Sequence, residues 1–196
     1  MNVPDRTDLE TRAGLPDALR VLLEQYPREI WESHRNFDGH TRFWLQRHLM
    51  FRDVVGRLQA ESESYLDGKA ELRGYVQRSA RLAGFVLNEL HAHHHIEDVH
   101  YFPLLSGLEP RLEHGFEMLD HDHHALHRHL HDLATRAQAL IDVMQAGTGA
   151  QAAAGARPAA GALHAQLGDL ERFLDRHLTD EEDLIVPVIL HHAPRM

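Results

Sequence analysis

The sequence predicts an all-α protein, an up-down-up-down antiparallel four-helix bundle with a short N-terminal helix. Three observations predict it. Alanine, leucine, arginine and glutamate are plentiful, β-branched runs are scarce and prolines fall at segment edges. In four long segments the core positions recur at alternating steps of four and three, the rhythm of a bundle helix. The links between segments are mostly short, and short links set neighbouring helices antiparallel.

Residues 1–36 read as a tail with a short helix over Pro16–Gln25, whose apolar side is Leu15, Leu19, Leu22 and Leu23. Pro27 stops it. The bundle domain takes residues 37–192. Its first helix is expected from about Asp38 to Leu66, with Asp67-Gly68 as a stop signal. The second runs from about Lys69 to Leu104. Gly107–Pro110 forms a turn, and Pro110 suits the first position of the third helix, which continues to about Gln145. Residues 146–161, rich in alanine and glycine and low in complexity, read as a flexible loop. The fourth helix then runs to about His191.

At 196 residues, with 43% hydrophobic and 26% charged side chains, the chain is long enough for one ordinary globular core. No stretch approaches the roughly 20 apolar residues that span a bilayer. The first six residues, Met1 to Arg6, are polar and lack an apolar signal core, so the expected location is cytoplasmic, with no membrane partner. There are no cysteines, which excludes disulfides, thiolate-held iron–sulfur clusters, thiol catalysis and the usual structural zinc sites. A net charge of −10 argues against a nucleic-acid partner, because phosphate binding needs a basic face. The conspicuous feature is 19 histidines, dispersed through helical segments rather than gathered in a tag.

The second helix keeps its core rhythm without a slip through Leu72, Val76, Ser79, Ala83, Val86, Leu90, His93 and Glu97. The fourth does so through Leu163, Leu167, Leu170, Leu174, His177, Glu181, Leu184 and Val188. The two match at an offset of 84 residues (93 to 177, 97 to 181), and a proline stands six residues after each glutamate, at Pro103 and Pro187. This is an internal repeat with ligand-type residues in it. The third helix has one seam histidine, His123, between Leu119 and Leu126. The first has His48 between Trp44 and Phe51. In an antiparallel bundle these four histidines and two glutamates share one end. A lone seam histidine is more often a hydrogen-bonded core residue, and a lone His-x-x-x-Glu is often a solvated pair. Six such groups in register in a leucine core would be very costly to bury without compensating cations. His91, His94, His95, His100, His114, His121, His124, His129, His131, His164, His191 and His192 lie off the seams or near ends and read as solvated or supporting groups. Asp98, Asp122 and Asp180 are candidate acceptors for ligand imidazoles. Imidazole and carboxylate donors without soft ligands suit iron, manganese or zinc. The ferritin-like order, Glu-x-x-His, is not the one present.

His93-His94-His95-Ile96-Glu97-Asp98 ending at Tyr101-Phe102-Pro103, Asp122-His123-x-x-Leu126, and His177-Leu178-Thr179-Asp180-Glu181-Glu182 ending at Pro187 resemble the hemerythrin-like family of histidine–histidine–glutamate cation-binding domains. The resemblance covers roughly residues 40–190. It implies a non-haem centre of two iron ions that binds dioxygen or responds to oxygen, nitric oxide or iron status. Its ligands fall on His48, His93, Glu97, His123, His177 and Glu181, with both glutamates bridging. Hemerythrins proper carry His-x-x-x-His on the third helix. His123 and His127 match that spacing, although His127 sits beside the seam. On the first helix His40 also lies on the extended core stripe and stands as the alternative to His48, which the apolar register favours.

Two octahedral irons offer about twelve positions. The glutamates fill four, an oxo or hydroxo bridge two and the seam histidines four. His127 as a further ligand would leave one open position, suited to dioxygen or another small diatomic ligand. The expected function is therefore a dioxygen-binding di-iron protein acting as carrier, store or sensor. The alternatives are a redox enzyme of peroxidase or nitric oxide reductase type, or an iron-handling protein. No output domain is visible, so sensing would need a separate, unidentified protein partner.

Overall fold

Asp38 opens the first long helix by accepting hydrogen bonds from the Thr41 amide and hydroxyl, both at 2.8 Å, which satisfies amides that have no partner within the helix. At the other end Gly68 takes a left-handed φ of 75°. This turns the chain so that the Gly68 and Lys69 amides close back on Tyr65 and Ser64. Between these caps lies α1, Gly39–Leu66. The computed structural model describes residues 7–146 and 150–194. Among them all regular structure is helical: α2 (Leu72–Ile96), α3 (Phe102–Leu108), α4 (Glu113–Ala146) and α5 (Ala150–His192) follow α1. A π turn over Glu97–Tyr101 joins α2 to α3, and a 3-10 turn over Pro110–Leu112 leads into α4. None of the described helices is long and apolar enough to cross a membrane.

Two sequence expectations change. No α-helix forms over Pro16–Gln25; a 3-10 turn over Asp17–Leu19 and further turns take its place, and another 3-10 turn follows Pro27 over Arg28–Ser33. The segment is nevertheless no loose tail. Leu15, Leu19, Leu22 and Trp31 are buried in one apolar cluster with Trp44, Phe102, Phe116, Leu184 and Ile189. Tertiary packing, not helical propensity, holds it.

The second change concerns residues 146–161. From Ala150 onward they are α-helix, although 147–149 lie outside the described residues. Alanine is the best helix former, which outweighs the glycines and Pro158. Ala156 and Ala160 are fully buried and stand 84 residues after Leu72 and Val76, so the core rhythm of α5 begins earlier than the leucines show.

The chain divides into two compact units. The first contains Met1–Met50, His93–Ala125 and Phe173–Met196; the second contains Phe51–Ala92 and Leu126–Arg172. In the second unit the buried seam residues are mostly apolar, among them Val55, Leu58, Val76, Val86, Leu130, Leu133, Leu163 and Leu167, with Ser62 and Ser79 as polar exceptions. In the first, the same seams carry the polar groups. The last turns of α5 there, Leu184 to Leu190, are buried all round, because the N-terminal segment lies against them: Asn36 donates to the Leu190 carbonyl at 2.7 Å and Tyr26 meets His191 Nδ1 at 3.0 Å.

Candidate metal centre

His48, His93, His94, Glu97, His123, His177 and Glu181 are all buried within the first unit. They form two groups whose ligand atoms lie within 4.8 Å of one another: His48, His93, Glu97 and Glu181 in one, and His94, His123 and His177 in the other. In the first, His48 Nε2 stands 3.0 Å from His93 Nε2 and 3.4 Å from Glu181 Oε2, while His93 Nε2 lies 2.9 Å from Glu97 Oε1. In the second, the His94 and His123 rings stack at 3.9 Å, and His177 meets them edge-on. The glutamates face both groups. Glu97 Oε2 is 3.8 Å from His123 Nε2, and Glu181 Oε2 is 3.7 Å from His177 Nε2.

The outer nitrogens of three imidazoles are held by carboxylates, which turns Nε2 inward. His48 Nδ1 donates to Glu182 at 3.0 Å, His123 Nδ1 to Asp98 at 2.7 Å and His177 Nδ1 to Asp122 at 3.2 Å. Asp98 and Glu182 occupy matching places in the 84-residue repeat. The shorter Asp98 sits in the widened π turn, whereas Glu182, one methylene longer, reaches its histidine from regular helix. Trp44 has no counterpart in the repeat: its indole N–H donates to Glu97 Oε1 at 2.7 Å.

Burial lowers His48 to about 4 despite the Glu182 hydrogen bond, and lowers His177 likewise to about 4 despite Asp122, so both rings are neutral at pH 7. Burial also works against the Glu97 anion, but the imidazoles of His93, His123 and His48 overcome it and hold this carboxyl below its usual range. Glu181 is pushed well up, by burial first and then by the charge of Glu97. Two buried carboxylates this close cannot both ionise without a cation between them. Buried atoms lacking a hydrogen-bond partner include Glu97 Oε2, His123 Nε2, His177 Nε2 and both Glu181 oxygens. Buried polar atoms are ordinarily satisfied. Lone pairs left over in one inward-facing set of imidazole and carboxylate donors fit a pair of metal ions.

Of the predicted site residues, the structure brings together His48, His93, Glu97, His123, His177 and Glu181, and leaves out His127. That side chain is exposed and lies beside His91, ring centroids 5.8 Å apart, in the second unit. From His123 the α4 seam steps by three to Leu126, so the residue four along falls outside it. His40 is also outside both groups; its Nε2 pairs with the Tyr101 hydroxyl at 2.6 Å. His94, expected to lie off the seam, is 1% exposed and inside the second group. A usable signal existed: its repeat partner is the apolar Leu178, itself buried. Of the expected acceptors, Asp98 and Asp122 hold imidazoles, whereas Asp180 bonds to Arg12 and Arg176. A third histidine–carboxylate group, Glu109 with His191 and His192, differs in kind, because Arg111 engages both Glu109 oxygens and Tyr26 holds His191.

A model of the hemerythrin HHE cation-binding domain matches residues 40–189. No curated protein and no solved structure matches the chain.

Proposed function

The chain belongs to the hemerythrin HHE cation-binding family, and we propose that its two groups hold a pair of iron ions and bind dioxygen reversibly, as a carrier, store or sensor in the cytoplasm. The observation that carries this reading is that Glu97 and Glu181 each face both groups, as bridging carboxylates would. The helices α1, α2, α4 and α5 would then run up, down, up, down, as in a four-helix bundle. Imidazole and carboxylate donors with no soft ligand favour iron over copper(I), and manganese or zinc are the competitors that metal analysis must exclude.

When bound, two ferrous ions would supply the electrons that dioxygen uptake requires. The protein's share is positioning. Glu182, Asp98 and Asp122 fix the imidazole rings, Trp44 orients Glu97, Phe102 stacks on His123, and the burial of all the ligands keeps bulk water away. The donors are unequal. Two imidazoles and two carboxylate oxygens serve the His48–His93 side, and three imidazoles with the facing carboxylates serve the other. The poorer side is where a small ligand is expected to enter. In this reading His94 supplies the extra imidazole that the sequence pattern assigned to His127.

The test is anaerobic titration of metal-free protein with ferrous iron, followed by air and then argon. Two equivalents per chain and a visible band that appears in air and fades under argon are expected. Steady consumption of peroxide or nitric oxide, with no reversible band, would replace the carrier with a redox enzyme. Failure to take up iron would remove both.

A further inference from the structure

The residues outside the family match reach the metal centre through two arginines. Arg12, with a side chain 1% exposed, donates from Nε to Asp180 Oδ2 at 2.6 Å and grips both oxygens of Asp122, one of them at 2.7 Å. Asp122 holds His177 Nδ1. Arg28, 42% exposed, donates to Glu182 Oε2 at 2.8 Å, to Asp183 at 2.7 Å and to the Thr179 carbonyl at 3.1 Å. Glu182 holds His48 Nδ1 through its other oxygen. One segment therefore supplies two parallel relays: Arg12 to Asp122 to His177, and Arg28 to Glu182 to His48. They end on different groups of the centre. Asp122 also precedes His123 in the chain, so Arg12 ties down the backbone beside a further ligand of the same group.

A buried arginine between two aspartates is a poor device for stability, since desolvation cancels most of its attraction. It is a good device for fixing orientation, because the planar fork locks a carboxylate in plane. We propose that the N-terminal segment is a metal-retention clasp. In this role Arg12 governs how fast the ion at His94, His123 and His177 is released, and Arg28 governs the ion at His48, His93, Glu97 and Glu181. Both are positioning residues, and the inference rests on the two-ion reading above.

The experiment is chelator extraction of protein loaded with cobalt(II), followed by absorbance, with His94→Ala used to assign the phases. Groups that orient metal ligands change metal affinity by about 10–100-fold, and these arginines act one group further out, so about 10-fold is expected. Arg12→Lys, which keeps the charge but loses the fork, should speed only the phase missing in His94→Ala. Arg28→Gln should speed only the other, and the double variant both. A segment that merely held the fold together would speed both phases alike in each variant, and that result overturns the proposal. So does wild-type extraction in both variants. If Arg12→Lys does not fold, the half-exposed Arg28 decides the matter alone, by the same criterion. Wild-type protein that takes up no cobalt removes the metal reading itself, and the clasp with it.

Discussion

The two compact units use the same helices and the same core rhythm for opposite chemistry. Val76, Val86, Leu163 and Leu167 line the seams of one; His93, Glu97, His177 and Glu181 line the continuation of those seams in the other. The apolar unit stabilises itself, because buried methyl and methylene groups gain by leaving water. The other unit has an apolar cluster of its own, around Trp44, Phe102 and Leu184, but its ligand seam works against it, because imidazoles and carboxylates lose their hydration without finding full hydrogen-bond satisfaction. Periodicity decides burial in both. Residue identity decides whether burial is an end in itself or a demand for an ion.

The largest expected effect is on the polar side alone. Removing metal with a chelator should cost about 4 kcal/mol for each site that had been loaded at about 1,000 times its dissociation constant. Calorimetry of loaded and stripped protein checks this, and equal melting temperatures would dissolve the contrast between the units.

Acid should then weaken the stripped protein. His48 and His177 titrate near 6.5 unfolded and about 4 folded, so below pH 6.5 the unfolded chain binds more protons. Stability is complete above 6.5 and is lost down to about 4, by roughly 3 kcal/mol for each histidine. Glu181 opposes this, because its raised carboxyl makes the fold hold the extra proton above pH 4.5, so acidification returns part of the loss. Denaturant melts at pH 7 and pH 4.5 should therefore show a steeper fall in Glu181→Gln than in the wild type.

On the apolar side, Leu133→Ala should cost about 3 kcal/mol by leaving a cavity, equally with and without metal. A cost that depended on metal would mean that the units are not distinct in this sense. Converting one side to the other is a sharper test. Glu181→Met should raise the stability of the stripped protein by about 2 kcal/mol, yet lose at least one ion. The smallest effect belongs to His127→Ala, within about 0.5 kcal/mol and with two ions retained, as for an exposed residue. His94→Ala should hold one ion fewer, and metal analysis of the pair separates the two candidates.

Much of this was legible in the sequence by itself. The four-three rhythm determined the long helices, and the repeat determined that His93, Glu97, His177 and Glu181 share a buried stripe, because side-chain direction in a helix follows from spacing alone. The same logic contained more than the leucines revealed: Ala156, Ala160 and His94 occupy repeat positions whose partners, Leu72, Val76 and Leu178, are apolar. Only the tertiary structure decided the rest. Whether a residue beside a seam is buried depends on what packs against that flank, which is why His94 is enclosed while His127 stands exposed near His91. Arg12 and Arg28 reach carboxylates 110 and 154 residues away in the chain. A periodic pattern describes one helix at a time, and contacts of that range exist only once the chain has closed on itself.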